Sequence, residues 1–112
     1  VLPANARLRS SKEFQQVFRH GVKIHRDVLV LYVSKREQWP ARAGLVVSKA
    51  VGNAVKRNKV KRRLRHLITP VLATTPVPLD FVIRALPGAA NADLNNTLTS
   101  ALSSSYERLG LR

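Results

Sequence analysis

Apolar positions recur along this chain with two periods, and each change of period marks a new element. From Ser11 to His20, Phe14, Val17 and Phe18 fall at i, i+3 and i+4, which predicts a helix with one apolar stripe. Ser10 and Glu13 have capping-box spacing, in which hydroxyl and carboxylate each accept from the other residue's backbone N–H. Gly21 is the expected stop, since glycine adopts the left-handed conformation cheaply. Val28 to Val33 (VLVLYV) then predicts a strand rich in β-branched residues. Ser34 to Ala41, with three charges, Trp39 and Pro40, predicts a loop. Arg42 to Ser48 predicts a second strand, expected antiparallel to the first. Whether the stretch before Val28 adds another short strand is left open by the pattern.

The helical period returns in KAVGNAVKRNKVKRRLRHLITPVL, from Lys49 to Leu72. Val60, Leu64, Leu67, Ile68 and Val71 recur at i, i+4, i+7, i+8 and i+11, a single buried stripe. The helix is expected to begin near Asn53, after a tight turn at Gly52. Pro70 lacks an N–H and disfavours helix at Thr69, so the end is expected near Ile68 or just past Pro70. Thr74 to Leu79 is a proline-bearing connection, Asp80 to Ala85 a further strand, and Pro87-Gly88 a turn. Asn91 is the expected cap of a last helix, with Asp93 in its first turn and Leu94, Leu98, Ala101, Leu102 and Leu109 on its apolar face. The order is α-β-β-α-β-α. It predicts one small α+β domain over residues 1–112, with a mostly antiparallel sheet packed with helices.

Charge narrows the function. Twenty Lys and Arg face six Asp and Glu, a formal net charge of +14. A small domain repels itself at that charge unless a polyanion is bound. No apolar stretch approaches the roughly 20 residues of a membrane-spanning helix, and the N-terminus lacks a signal peptide's apolar run. The absence of cysteine excludes disulfides, thiolate metal sites and cysteine nucleophiles, and suits the cytoplasm. No membrane partner is expected.

Enzyme chemistry is not legible. His20, His25 and His66 have no second histidine at i+3 or i+4, so metal-ligand spacing is missing. The carboxylates are scattered, with no acid–base pair, and Gly44 and Gly52 are not part of a Walker loop. Ser34-Lys35 and Ser48-Lys49 are adjacent on strands and point to opposite faces. No catalytic or metal-ligating residue is therefore expected in this chain. Between Lys49 and His66 there are eight Lys or Arg and no acid. A solvated helix face normally mixes signs. Here Arg57, Lys61 and Arg65 follow one another at i+4 and repel, which a bound polyanion would relieve. Long cations without many Gln or Asn suit phosphate contact better than base readout. Composition and periodicity support a backbone-directed nucleic-acid binder and go no further.

The segment GLVVSKAVGNAVKRNKVKRRLR, from Gly44 to Arg65, resembles the signature of the bacterial ribonuclease P protein family. The matching positions are Ser48, Lys49, Gly52, Ala54, Val55, Arg57, Asn58, Lys61, Arg62 and Arg65. Arg9, Phe14, Val17, Phe18 and Gly21 resemble the family's opening. Ala50 and His66 depart from it, standing where many members have Lys and Glu. The resemblance implies a left-handed βαβ crossover, against the usual hand. It also implies a protein subunit of a ribonucleoprotein endonuclease that removes the 5′ leader of precursor tRNA, its catalytic site and Mg2+ held mainly by the RNA subunit. Lys49, Lys56, Arg57, Asn58, Lys61, Arg62 and Arg65 are then expected on the catalytic RNA. Arg9, Lys12, Phe14, Phe18 and Tyr32 are expected on the leader. The rival expectation is a general RNA-binding or ribosomal-type protein, which shares the charge but should lack these linked motifs.

Overall fold

The computed structural model describes residues 3–111. Three helices, α1 (Ser11–His20), α2 (Ala54–Thr74) and α3 (Leu94–Arg108), alternate with four strands, β1 (Val22–Arg26), β2 (Leu29–Lys35), β3 (Arg42–Val47) and β4 (Leu79–Ala85). The order is α-β-β-β-α-β-α: the stretch before Val28 does form a strand, and β2 runs two residues into the expected loop. The sheet order is β1-β2-β4-β3. β1 pairs with β2, and β2 with β4, antiparallel; β3 pairs with β4 in parallel. β3 does not pair with β2 as expected, because β4, arriving after α2, inserts between them. A parallel neighbour requires such a crossover, and α2 supplies it.

Strand alternation gives the sheet two unlike faces. Leu29, Leu31 and Val33 of β2, and Leu79, Phe81, Ile83 and Ala85 of β4, are buried in the main core. Val60, Leu64 and Ile68 of α2 and Leu94, Leu98 and Ala101 of α3 pack onto the same face. Each of the Val, Leu, Ile and Phe side chains contributes on the order of 1.5–3 kcal/mol on burial. On the other face lies a smaller cluster of Leu8, Val17 and Val82, with Phe14, Tyr32 and Val46 half-buried against it. Among the described residues, α1 and the segment leading into it pack on this face, and Phe14, Tyr32 and Val46 stay partly open.

Three local expectations are corrected. Gly21 is extended (φ −85°, ψ 164°), not left-handed. Glycine is needed there because a Cβ would lie 2.6 Å from the Val17 carbonyl oxygen and 2.8 Å from that of Val33. The cap of α3 is Asp93, whose Oδ1 accepts from the Asn96 N–H at 3.1 Å; Asn91 instead ends a short 3-10 turn. Helix α2 continues through Pro70 to Thr74. Pro70 is exposed, so water can satisfy the carbonyl that loses its partner, and Thr69 and Thr74 return hydroxyl bonds to Arg65 and Pro70 carbonyls.

Helix α1 is tied to the sheet by Arg42. The parallel register sets Arg42 beside Asp80, and its Nε and Nη2 donate to the two carboxylate oxygens at 2.8 Å each. Nη1 donates to Glu13 Oε2. The other Glu13 oxygen accepts from the backbone N–H of Arg9 (2.7 Å) and Ser10 (3.1 Å), completing the capping box. These backbone bonds first, and Arg42 after them, hold the Glu13 carboxyl below the usual carboxylate range. A lowered folded pKa means that this stabilisation is present above the ordinary glutamate pKa. It is lost as pH falls through the lower, folded value. We expect Arg42→Ala to lose about 3 kcal/mol in urea unfolding at neutral pH, since it takes both hydrogen bonds from the buried Asp80 carboxylate and leaves it the longer 3.9 Å ion pair with Arg36. Glu13→Gln should flatten the acid limb of the stability profile. A neutral effect of Arg42→Ala, or an unchanged acid limb in Glu13→Gln, would contradict this role.

Candidate nucleic-acid interface

The turn into α2 is set by glycine. Gly52 lies at φ +153°, ψ −164°, a region essentially closed to other residues. Asn53 caps the helix through a 3.0 Å bond from the Lys56 N–H, and Arg57 Nη1 reaches back to the Gly52 carbonyl at 3.4 Å. With Val60, Leu64 and Ile68 turned into the core, the remaining positions carry cations to the surface. Lys49, Lys56, Asn58, Arg62 and Arg65 are exposed; Arg57 and Lys61 are half-buried. Among the described residues, no Lys or Arg of α2 pairs with a carboxylate. The result is a continuous positive ridge whose field only an external anion can neutralise.

The second surface is the open sheet face. Sheet register aligns Lys23, Tyr32, Val82 and Gly44 in one row and His25, Val30, Arg84 and Val46 in the next. Phe14 packs its ring against Gly44, where a Cβ would lie 2.5 Å from the nearest ring carbon. Phe18 packs edge-on against Tyr32 (centroids 4.8 Å apart) and is tilted toward Phe14 at 6.5 Å. The ammonium of Lys23 sits 5.9 Å above the Tyr32 ring. Val17 anchors α1 and is fully buried, whereas Phe18 keeps 40% of its surface exposed and so is not simply core. The three aromatic rings form one stepped platform bordered by cations.

The two surfaces meet. A cavity of about 190 Å3 is lined by Arg7 and Phe14 on one side and Lys61 and Arg65 of α2 on the other. The structure thus brings Phe14, Phe18 and Tyr32 together, and joins them to two cations of the basic helix. Lys12 sits elsewhere, on a cavity of about 730 Å3 shared with Arg19, Lys35 and Asp80 on the far flank of α1. Arg9 is exposed at the start of α1, where its N–H serves the capping box.

A two-surface basic domain of this shape has solved counterparts. The ribonuclease P protein of Staphylococcus aureus superposes with a TM-score of 0.79 at 27% identity, covering 88% of this chain and 94% of that one. The Thermotoga maritima protein gives 0.75 at 25% identity, covering 88% and 96%. The ribonuclease P protein component of Kocuria rhizophila is 43% identical over 111 residues, covering 96% of this chain and 98% of its own. That of a Mycobacterium species is 44% identical over 107 residues, 91% of each. The family model described as Ribonuclease P matches residues 2–110. The chain belongs to the ribonuclease P protein family.

As a ribonuclease P protein it is a subunit of a tRNA-processing endonuclease, and its partner is RNA. The match extends over the last third of the chain, where the sequence motifs were silent. Three cations beside the aromatic platform escaped sequence reasoning: Arg7, Lys23 and Arg84. Arg84 had a usable signal. It is the one charged residue inside an otherwise apolar run, VIRAL, and its even number puts it on the same face as Val82, away from the buried Phe81 and Ile83. Lys23 and Arg7 become neighbours of the platform only through β1 pairing and the course of the N-terminal segment, which no local pattern encodes. For the ridge, we expect Arg57→Ala/Lys61→Ala to lower the salt slope of log RNA affinity by up to about two units, with folding intact. An unchanged affinity and slope would move the interface off α2.

Proposed function

We propose that the ridge on α2 binds the catalytic RNA subunit through Lys49, Lys56, Arg57, Asn58, Lys61, Arg62 and Arg65. The aromatic face between α1 and the sheet holds the single-stranded 5′ leader of precursor tRNA. Phe14, Phe18 and Tyr32 stack leader bases; Lys23, Arg84, Arg7 and the N-terminal Arg9 attract its phosphates, whereas Lys12, on the far flank of α1, stands apart from this strand. The observation that carries this reading is the shared cavity where Phe14 meets Lys61 and Arg65. RNA lying along the ridge and a strand lying on the platform would be adjacent there, so the protein can present one to the other.

The reaction is hydrolysis of one phosphodiester: water adds to phosphorus, the leader departs with its 3′ hydroxyl, and the tRNA keeps a 5′ phosphate. Magnesium chemistry does not fit the described residues, among which no cluster of His, Asp or Glu could hold the ion. Glu13 and Asp80 are already committed to Arg42. We therefore assign the metal to the RNA subunit and route no step through this chain. What the chain supplies is positioning: it removes translational freedom from the leader and screens the repulsion between two polyanions. None of the described helices is long and apolar enough to cross a membrane, and a cytoplasmic site of action agrees with its RNA partner.

A general RNA-binding role would need the ridge alone. The platform, with Phe18 left exposed beside Tyr32, favours a dedicated single-strand site. Phe18→Ala removes one stacking ring, worth about 1–3 kcal/mol per base. With the RNA subunit present, we expect it to weaken binding of precursor tRNA carrying a leader of several nucleotides by about tenfold or more. Mature tRNA binding should be nearly unchanged, and the melting temperature should fall only modestly. Equal losses for both tRNAs would place Phe18 in the core.

A further inference from the structure

Helix α2 carries its cations on two flanks. Lys61 and Arg65 face the platform, whereas Arg62, Arg63 and His66 face α3. There they line a separate cavity of about 300 Å3, together with Leu67 and Asn95 from the first turn of α3. Its walls differ from the rest of the ridge. Leu67 is half-buried and provides an apolar floor, which a phosphate would not seek. Arg63 is held against the wall by a 3.4 Å bond from Nη2 to the Ala92 carbonyl. His66, Arg62 and Asn95 are exposed, and their side chains make no hydrogen bond or ion pair among the described residues.

We propose that this cavity receives one unpaired nucleotide of the RNA subunit, its base extruded into the space between α2 and α3. The His66 imidazole plane suits stacking on a base, and Leu67 suits its apolar face. The Asn95 amide offers a donor beside an acceptor, the pattern that reads a base edge in pairs. Arg62 and Arg63 are placed for the flanking phosphates. The occupant is the RNA along the ridge and not the substrate leader. The cavity lies on the helical face of the sheet, and the platform lies on the opposite face. This inference rests on the reading that α2 carries the RNA subunit. It adds one point of base recognition to an otherwise backbone-directed contact.

Asn95→Ala separates the possibilities, since the side chain makes no bond that the fold needs. RNA-subunit affinity would be titrated over a range of salt, with nucleotide-resolution chemical probing of the bound RNA. We expect roughly a tenfold loss of affinity with an unchanged salt slope, since a base contact releases no counterion. One protected nucleotide should become reactive. Arg62→Ala should instead lower the slope by about one unit. Full affinity and an unchanged footprint in Asn95→Ala would overturn the proposal. So would a loss seen only in leader-dependent binding of precursor tRNA. If α2 is not the RNA-subunit contact at all, Arg57→Ala/Lys61→Ala also binds normally, which distinguishes that failure from an empty cavity.

Discussion

One guanidinium sets the relation between the two layers that matter for function. Arg42 donates to both oxygens of Asp80 on the neighbouring strand and to Glu13 on α1. The pair with Asp80 is bidentate and largely shielded from water, the geometry in which such contacts are strongest. The third bond fixes α1 over the sheet at the height where Phe14 covers Gly44 and Phe18 meets Tyr32. Without it, Val17 would be the main anchor of a ten-residue helix, and the platform would lose its alignment.

The same arrangement decides the electrostatics. The chain has six carboxylates, and the fold spends three of them on structure: Glu13 and Asp80 on Arg42, and Asp93 on the cap of α3. The other three, Asp27, Glu37 and Glu107, make no ion pair with α2 among the described residues. The ridge is therefore positive by construction. Its repulsion is tolerable because Val60, Leu64 and Ile68 bury the opposite stripe. Packing energy on one side of the helix holds in place a charge distribution that is unfavourable by itself on the other.

Elements carried by local pattern were legible in the sequence. The bounds of α1 and its capping box, the buried stripe of α2 and the nucleic-acid-binding class all follow from spacing and charge, and the family motif narrowed that class to RNA. What escaped was set by distance in sequence. Strand β1 has only Ile24 buried, so its alternation carries little signal, and its pairing with β2 defines it. The separation of β3 from β2 depends on β4 arriving through α2. The glycine at 21 was identified as a stop, but the reason is crowding by two carbonyls, that of Val17 in α1 and that of Val33, twelve residues on. The platform residues from α1 and β2 were identifiable from the family motif, whereas Lys23 and Arg84 needed the sheet register. Lys12, named from its proximity in sequence, turned out to face another flank.

The central claim is that the two faces of this domain hold two different RNAs. Site-specific photocrosslinking tests it most directly. A photoreactive aromatic residue is placed at Tyr32 in one protein and at Arg62 in another, each assembled with the RNA subunit and precursor tRNA. The account predicts that position 32 crosslinks to the 5′ leader and position 62 to the RNA subunit. Crosslinks from both positions to the same RNA, or leader crosslinks from position 62, would contradict it.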